Sequence, residues 1–326
     1  MMADASPPIS FVVPVYNMEA FVADCLNSIL RQEGDHDYEV IVIDDACTDA
    51  SVDVIARFDD PRIRLLRHRH NLGAAHTISE GLAAARGNYV ARIDADDRYR
   101  PHFLDSTVAV LDRHPDVGLV YGRVALIDAA GRITDPETAG PQPTGDAKQD
   151  RFFDLLRRND LPAPTVLGRR EAWALGLPIP PKLMFNDWYL SLSIAERWPL
   201  YFVDDVIADY RVHANNMHDA MVRDRWCEPI IMDVLERFLG SPGRQEEKRR
   251  HRNEIYAAQY RQLADQYFGC DLLMDARRCY WQALRRRPDQ LARPEVLRRL
   301  FGTYVGRSGY EHVKRLSNRV LGYHRN

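Results

Sequence analysis

Residues 9–17 read Ile-Ser-Phe-Val-Val-Pro-Val-Tyr-Asn, and residues 40–49 read Val-Ile-Val-Ile-Asp-Asp-Ala-Cys-Thr-Asp. Each stretch is a short apolar run, rich in β-branched residues, that gives way to polar side chains. Apolar runs of this length are typical of strands that are buried on both faces of a sheet. The polar residues after each run therefore predict a ligand-binding edge at the carboxyl ends of the strands.

The same alternation continues along the N-terminal part of the chain. We predict strands at 9–15, 38–43, 63–66, 89–93 and 117–121, separated by helices at 18–32, 51–58, 74–86 and 101–114. Asn17 is suited to cap the first of these helices, and Pro101 is suited to the first turn of the last. Repeated β-α-β-α units predict an α/β fold with a mainly parallel sheet and helices on both faces.

The pattern changes in the C-terminal part. Residues 131–147 are rich in Pro, Gly and Thr and predict a loop, followed by short helices at 149–158, 170–175 and 187–197 and strands at 200–203 and 206–210. Residues 222–326 are predicted to be helical, with breaks at 240–243, Pro288 and Pro294. We therefore predict an α/β domain at 1–220 and a helical region at 221–326. Residues 260–288 are read either as one tetratricopeptide-like hairpin or as part of a small helical bundle.

The composition excludes several classes of protein. With 45% apolar and 28% charged residues among 326, the chain is globular rather than disordered, and its net charge of −3 argues against a general nucleic-acid binder. The charge is unevenly distributed: residues 1–240 have a net charge of −13 and residues 241–326 of +10. The basic C-terminal region is interpreted as docking on the acidic region, as a peripheral contact with an anionic membrane surface, or as a solvated helix face.

Five cysteines are present, without a CxxC pair, so a disulfide framework or a zinc ribbon is not expected and a reducing compartment fits best. The N-terminus shows no signal-peptide pattern, and no apolar stretch approaches about 18 residues. We therefore expect a cytoplasmic protein that is soluble or peripheral at the inner face of the membrane.

Polar clusters follow four of the predicted strands. They comprise Pro14, Tyr16 and Asn17; Asp44, Asp45, Thr48 and Asp49; Asn71 and Gly73; and Asp94, Asp96 and Asp97. Asp45 and Asp49 have an alternative interpretation as helix caps. Three carboxylates in four residues repel one another, and a divalent cation such as Mg²⁺ or Mn²⁺ would offset that repulsion, whereas the alternative is an exposed acidic turn.

The order and spacing of these motifs resemble the family 2 glycosyltransferases, which have the GT-A fold. The resemblance covers residues 8–125, and a second block extends it to about residue 217, with Asn-Asp-Trp-Tyr-Leu at 186–190, Asp-Tyr-Arg-Val-His at 209–213, and Asn216. It implies an inverting transfer of a sugar from a nucleotide-diphosphate donor, expected to be UDP-linked. The acceptor implied is a glycan or a lipid-linked saccharide, and the cofactor is Mn²⁺ or Mg²⁺.

The resemblance also implies roles for individual residues. On the nucleotide side it places Pro14, Tyr16, Asn17, Asp44, Asp45, Asn71, Gly73 and Asp94, with Tyr16 stacking on the base and Asp45 accepting the N–H of the base. Asp94 and Asp96 match the D-x-D motif, and Asp97 an additional acidic position. The metal would be held by Asp96, Asp97 and His213, although the resemblance does not divide the metal contacts among Asp94, Asp96 and Asp97. His213 is also explained as a hydrogen-bonded structural residue.

Two positions depart from the family pattern. The usual Ala-Arg-Asn before the glycine of the third helix is replaced by residues 77–80, Thr-Ile-Ser-Glu, so the arginine that could help to hold the donor is missing. Arg69, His70 or His76 could substitute for it. Asn186 stands where an acidic residue usually precedes the catalytic base.

Asp187 is the candidate general base, because an inverting displacement needs a carboxylate on the acceptor side of the sugar. The competing interpretation is that Asp187 only caps the helix that it opens, which would move the assignment to Asp204, Asp205 or Asp209.

Other functions are weighed against glycosyl transfer. A nucleotidyltransferase would need a glycine-rich, basic loop after the first strand, and the chain has none there. A non-catalytic scaffold that binds nucleotide sugars or glycans would be favoured by loss of the D-x-D motif or of Asp187, and both are present. The chain has no GxGxxG motif after the first strand, which argues against NAD chemistry, and it has no GxxxxGK[ST] motif either.

Overall fold

A computed structural model of the chain describes residues 8–137, 143, 145–213 and 221–320. The chain divides into two compact units. The first consists of residues 1–155 and 159–214, and the second of residues 156–158 and 215–326. The domain boundary expected at residue 220 stays a prediction, because residues 214–220 lie outside the described part of the chain.

The first unit is built on one ten-stranded sheet. The strands are β1 Ile9–Val15, β2 Tyr38–Asp44, β3 Ile63–Arg67, β4 Tyr89–Arg92, β5 Arg98–Tyr99, β6 Leu119–Ile127, β7 Ile133–Asp135, β8 Ala147–Gln149, β9 Leu167–Arg169 and β10 Leu200–Arg211. Their order across the sheet is β3-β2-β1-β4-β9-β6-β10-β5, with β7 on β6 and β8 on β10.

The central strands run parallel, as the sequence predicted. β1 pairs in parallel with β2 and with β4, β2 with β3, and β6 with β10. The exception at the centre is β9, which is antiparallel to both of its neighbours, β4 and β6. Because β1, β2 and β4 are parallel neighbours, the residues after their carboxyl ends gather at one edge of the sheet. The predicted α/β fold is confirmed.

Helices alternate with these strands. They are α1 Val22–Leu30, α2 Ser51–Ile55, α3 Ala74–Ala84, α4 Phe103–Arg113, α5 Phe152–Arg157, α6 Arg170–Trp173 and α7 Asn186–Ala195. In α1 the fully buried residues are Val22, Cys25, Leu26 and Ile29. This three- and four-residue spacing places an apolar stripe of the helix against the sheet.

Three expectations about this unit are wrong in detail. Asn17 does not cap α1, which begins at Val22 after Phe21; Asn17 instead has a positive φ of 55°. The segments at 200–203 and 206–210 form one strand, β10, with register shifts against β6 near residues 202–208. The bulged strand accommodates the acidic pair at 204–205 that made the sequence look interrupted. The short strands β5, β7, β8 and β9 were not predicted.

The second unit is helical, as expected. Its helices are α8 Cys227–Gly240, α9 Gln245–Gly269, α10 Leu273–Arg286 and α11 Pro294–Val320, with a 3₁₀ turn at Pro288–Ala292. The backbone of α11 is interrupted by a kink at Gly306, which has a φ of 78°. A break, which the hairpin interpretation of residues 260–288 requires, separates α9 from α10 at residues 270–272, where Asp271 has a φ of 61°. The two helices form a hairpin that buries Tyr267 and Tyr280 completely. None of the helices that the structure describes is long and apolar enough to span a membrane.

Candidate functional site

The loop after β1 is tied to the loop after β2. The side-chain oxygen of Asn17 accepts the main-chain N–H of Thr48 at 2.8 Å, and the main-chain N–H of Asn17 lies 3.3 Å from the sulfur of Cys47. Tyr16 extends from this junction with 46% of its surface exposed, and Pro14 is half-buried beneath it. The Tyr16 ring is therefore available for stacking on a planar ligand.

Asp44, at the end of β2, shapes the loop that follows. Its carboxylate is buried and accepts the main-chain N–H of Cys47 at 2.8 Å and the Nε–H of Arg67 at 3.1 Å. Both carboxylate oxygens thus have partners within the protein. A nucleotide-binding role for Asp44 stays a prediction, and its contacts here are with the protein framework.

Asp45 organises the turn that precedes α3. One carboxylate oxygen accepts the main-chain N–H of Leu72 at 2.7 Å and the other that of Gly73 at 2.9 Å. Burial raises the pKa of Asp45, but these two donors and His68 outweigh it, and the net pKa lies below the usual value. Gly73 has a φ of 85°, a conformation that glycine adopts without strain. The predicted residues Asp45 and Gly73 therefore meet, and Asn71 lies exposed in the same turn.

His68, for which the sequence pattern predicted no role, is central to this edge. Its Nδ1 lies 2.7 Å from Asp45 and its Nε2 lies 2.7 Å from Glu80. Burial lowers the pKa of His68, but the hydrogen bonds to the two carboxylates outweigh it, so the pKa is raised above the usual 6.5. His76, which the sequence analysis had proposed as a substitute for the missing arginine, stacks edge-on against His68 at 5.7 Å between ring centroids.

Asp94 lies half-buried at the start of the acidic turn that follows β4. Arg92, itself buried, donates to its carboxylate at 2.5 Å. Limited access to bulk water raises the pKa of Asp94, Arg92 acts in the opposite direction, and the carboxylates of Asp96 and Asp187 raise it further, with a net increase. Asp187 lies about 90 positions away in the sequence, yet its charge acts directly on the D-x-D motif.

Asp96 and Asp97 connect the acidic turn to the end of β10. The side chain of Asp96 lies 3.0 Å from Nε2 of His213, while Asp97 accepts the main-chain N–H of Arg211 at 2.8 Å. The guanidinium of Arg211 donates to the main-chain oxygen of Asp96 at 2.7 Å. The predicted metal ligands Asp96, Asp97 and His213 are thus drawn from two distant segments to one place.

The chemistry of this cluster suits a hard divalent cation. Burial, followed by the charges of Asp96 and Asp94, raises the pKa of Asp97 well above the usual carboxylate value. Burial away from water is the main cause of this shift, and the two neighbouring carboxylates add to it. Carboxylate oxygens and an imidazole nitrogen are acceptable ligands for Mn²⁺. The residues therefore fit the cation that the family resemblance implied.

Asp187 occupies the first turn of α7. The residue at the cap position is Phe185, and no side chain caps this helix, so the interpretation of Asp187 as a helix cap is wrong. The carboxylate of Asp187 has a weak contact, 3.4 Å, with the side-chain nitrogen of Asn159. The next residue, Trp188, is 2% exposed and donates its indole N–H to Leu155, which makes it part of the core that supports the helix.

The alternative base candidates are held in ion pairs. Asp204 pairs with Arg123 at 2.5 Å, and Asp205 lies 3.2 Å from His102. Asp209 is buried and pairs with both Arg98 and Arg100. Among the four acidic residues considered for this role, Asp187 is the one whose charge is among the largest influences on the pKa of Asp94.

Two residues that contribute to the site, His68 and Arg92, were missed in the sequence. His68 directly follows β3, so its position at a carboxyl strand end was the available signal. Arg92 ends β4, and its side chain is 6% exposed. A buried arginine two residues before an aspartate is a common charge pairing, and nothing in the local pattern marked it.

Comparison with known proteins places the chain in a family. The model of the glycosyl transferase family 2 matches residues 10–174. An uncharacterized protein of Mycobacterium tuberculosis is 31% identical over 67% of this chain and 62% of its own length. TuaG of Bacillus subtilis, named for a glycosyltransferase role in teichuronic acid biosynthesis, is 33% identical over 66% of this chain and 83% of its own. The chain thus spans less than two thirds of the mycobacterial relative.

Solved structures share the fold. S. aureus TarS 1-349 in complex with UDP-GlcNAc aligns with a TM-score of 0.62 at 15% identity, covering 90% of each chain. The mannosyltransferase PcManGT of Pyrobaculum calidifontis, in complex with GDP-Man and Mn²⁺, aligns with a TM-score of 0.58 at 18% identity, covering 98% of this chain and 82% of its own. The fold, the motifs at the strand ends and the match of the family model lead to one conclusion: the chain belongs to glycosyl transferase family 2.

Proposed function

We propose that the protein transfers a sugar from a nucleotide-diphosphate donor to a hydroxyl group of an acceptor, with inversion at the anomeric carbon. The observation that carries the proposal is that Asp187, on α7, lies close enough to Asp94 for its charge to help raise the pKa of that carboxyl. This proximity brings a carboxylate from α7 next to the acidic turn after β4. A single-displacement transfer needs such a pairing, with a base on one side of the sugar and charge-stabilising groups at the leaving group on the other.

The donor is proposed to lie along the edge formed by the loops after β1, β2 and β3. Tyr16 and Pro14 would form the wall for the base, and Asp45, Asn71, Gly73 and Asp94 the polar contacts. Asp45 already accepts three hydrogen bonds, so its direct contact with a base would require sharing or exchanging a donor. The likeness to structures that hold UDP-GlcNAc and GDP-Man supports a nucleotide-sugar donor. UDP is our proposed nucleotide.

A divalent cation, Mn²⁺ or Mg²⁺, is proposed to be held by Asp96, Asp97 and His213. When bound, the cation would neutralise negative charge on the departing diphosphate. Arg211 positions this cluster, because its main chain and its guanidinium hold Asp97 and Asp96 respectively. The Mn²⁺ in the PcManGT complex supports the choice of cation.

Asp187 is proposed to take the proton from the acceptor hydroxyl. Its partial exposure leaves it accessible to an acceptor, and the buried Trp188 fixes the helix from which it projects. Asp94 and Asp96 are proposed to serve the donor and its metal, so they are not assigned to this step. The proposed base therefore differs from the proposed metal ligands in both position and function.

The acceptor is proposed to be a glycan or a lipid-linked saccharide. The name of TuaG, which refers to teichuronic acid biosynthesis, supports this class of acceptor.

In the helical unit, Trp281, Phe301 and Tyr304 are each about half exposed, and residues 241–326 carry a net charge of +10. This combination favours peripheral contact with an anionic lipid surface. Salt-sensitive sedimentation of the full chain with anionic vesicles, but not with neutral ones, is expected; equal recovery with both would contradict the lipid contact.

One experiment tests the central proposal. The unfolding temperature of the full chain would be measured with UDP, GDP, CDP and dTDP, each with and without Mn²⁺. We expect one diphosphate to raise it selectively and more strongly with the metal. Incubation of the corresponding nucleotide sugars with polyprenyl-linked and oligosaccharide acceptors would then identify the product, whose anomeric configuration is read by NMR. Retention of the donor configuration, or no stabilisation by any diphosphate, would overturn the proposal.

A further inference from the structure

Three side chains with metal-binding atoms meet beside α3, apart from the acidic turn. His76 and Glu80 lie four residues apart on α3 and so share one face of the helix. His68 reaches them from the end of β3. Nε2 of His68 lies 2.7 Å from Glu80, and Nε2 of His76 lies 3.8 Å from the same carboxylate oxygen. Among the described residues, these three form the group of His, Cys, Asp or Glu side chains whose ligating atoms all lie within 4.8 Å of one another.

The orientation of His68 is already that of a metal ligand. Its side chain is 6% exposed, and its Nδ1 is fixed by Asp45 at 2.7 Å. Metal-bound histidines commonly donate their other ring N–H to a carboxylate, which fixes the ring and makes the free nitrogen a stronger ligand. With the Nδ1 hydrogen donated to Asp45, Nε2 faces Glu80 and becomes a metal ligand once it loses its own hydrogen. Asp45 is itself fixed by the N–H groups of Leu72 and Gly73.

We propose that His68, His76 and Glu80 bind a transition-metal ion of the Zn²⁺ class. Two imidazoles and one carboxylate form a set of nitrogen and oxygen ligands that Zn²⁺ accepts, with a fourth position left for water. In a tetrahedral site with bonds of about 2.1 Å, neighbouring ligand atoms are about 3.4 Å apart. The two distances to the carboxylate oxygen of Glu80, 2.7 and 3.8 Å, lie on either side of that spacing. All the ligand atoms lie within 4.8 Å of one another, so side-chain adjustments would have to bring them to that spacing.

Metal binding at these three side chains would release one proton. In the absence of metal, the hydrogen on Nε2 of His68 bridges to Glu80. Metal binding replaces that hydrogen, which leaves to solvent as a proton, and forms bonds to the two imidazole nitrogens and the carboxylate. The hydrogen bond from Nδ1 to Asp45 is retained. The ion would thus link α3 to the end of β3. Through the bond from His68 to Asp45, it would also stabilise the turn at Leu72 and Gly73.

This site differs in chemistry from the acidic turn, and the two are separable by mutation. Co²⁺ is a suitable probe, because tetrahedral Co²⁺ absorbs visible light much more strongly than octahedral Co²⁺. The full chain carrying Asp96→Asn, which removes the expected metal site at the acidic turn, would be titrated with Co²⁺. We expect one equivalent to bind with the strong visible absorption of a tetrahedral ion, and Zn²⁺ to displace it. No such absorption would overturn the proposal.

Two further variants identify the ligands. His76→Ala and Glu80→Gln, each added to Asp96→Asn, are expected to weaken Co²⁺ binding by at least about 100-fold, since even residues outside the ligand set cost 10- to 100-fold. His76 is 57% exposed in its side chain and Glu80 41%, so both variants should fold, and circular dichroism checks this. Unchanged affinity in either folded variant would overturn the assignment. An intense near-ultraviolet sulfur-to-cobalt band would indicate a cysteine site and would also overturn it. These Co²⁺ titrations do not require glycosyl transfer activity, so their outcome is independent of the proposed function.

Discussion

The main-chain N–H of Arg211 donates to a carboxylate oxygen of Asp97 at 2.8 Å, across 114 residues of sequence. This bond joins the acidic turn after β4 to the last residue of β10. His213 follows two residues later and lies 3.0 Å from Asp96. The proposed metal ligands are therefore assembled by the pairing of two chain segments and not by a local motif alone.

Arg211→Lys should weaken the proposed metal site without removing a ligand. The guanidinium contacts the main-chain oxygens of Asp96, Asp128 and Ala129 and pairs with Asp24 at 2.5 Å, and a lysine ammonium cannot make all these contacts together. We expect the Mn²⁺ concentration for half-maximal activity to rise by about 10- to 100-fold. Arg132→Lys is the matched control, because Arg132 pairs with Asp128 at the surface. Equal effects of the two variants would contradict the positioning role.

Asp96→Asn should abolish turnover and remove the metal-dependent part of donor binding. The substitution takes a charged oxygen ligand away from the cluster while keeping its size. The check is the unfolding temperature with the preferred nucleotide diphosphate, with and without Mn²⁺. Asp105→Asn serves as the control for the loss of one negative charge, because Asp105 is exposed and pairs with His36 away from the acidic turn. Full activity of the wild type after verified removal of divalent cations would show that the cation is dispensable.

Asp187→Asn should leave donor binding intact and lower kcat by at least about 100-fold, the scale expected for a lost proton acceptor. Stability should change little, because no side chain caps α7 and Asp187 has one weak contact. Asp205→Asn is the control, since this carboxylate is half exposed and pairs with His102. A kcat within a few-fold of wild type for Asp187→Asn would refute its assignment as the base.

Glu39 should make stability depend on pH. Its side chain is 4% exposed; burial raises its pKa, but hydrogen bonds from Arg86 and Ser10 outweigh this and the net pKa is lowered. A carboxylate with a folded pKa below its unfolded value stabilises the protein above the unfolded pKa, about 4.3, and that stabilisation is lost as pH falls through the folded pKa.

Glu39→Gln should therefore lower the free energy of unfolding at pH 7 by about 1–3 kcal/mol, and the difference from wild type should shrink as pH falls below about 4.3. Urea unfolding at a series of pH values measures both effects. The exposed Asp37, two residues earlier, provides the control Asp37→Asn. A difference that stayed constant down to pH 3 would mean that the lowered pKa does not contribute to stability.

The part of the fold that could be read from the sequence is the part in which strands and helices alternate locally. β1 and the starts of β2, β3 and β4 were predicted correctly, because apolar β-branched runs determine them. β9 could not be predicted: it has three residues, and its place between β4 and β6 depends on pairing with strands distant in sequence. The single strand β10 was read as two because its bulge carries exposed acidic residues.

The candidate site was predicted as a set of positions, not as a set of contacts. Carboxyl ends of parallel strands identified Asp45, Gly73 and Asp96. The sequence did not show that Asp45 would be saturated by donors from the third strand's loop, or that His68 would connect it to Glu80. Those contacts follow from the distance between two loops across the sheet, which only the folded chain defines.

The order of the strands along the chain limits when each half of the sheet can form during synthesis. Strands β1 to β4 form a sheet from the first 92 residues alone, so this half can pair while the ribosome is still translating the rest. The other half, β6 with β10, is completed only when residue 211 has emerged, and it joins the first through the three residues of β9. Until then Asp97 lacks its donor from Arg211. The acidic turn can therefore gain this bond only after residue 211 has been synthesised, whereas the strands that carry the edge proposed to hold the nucleotide all lie within the first 92 residues.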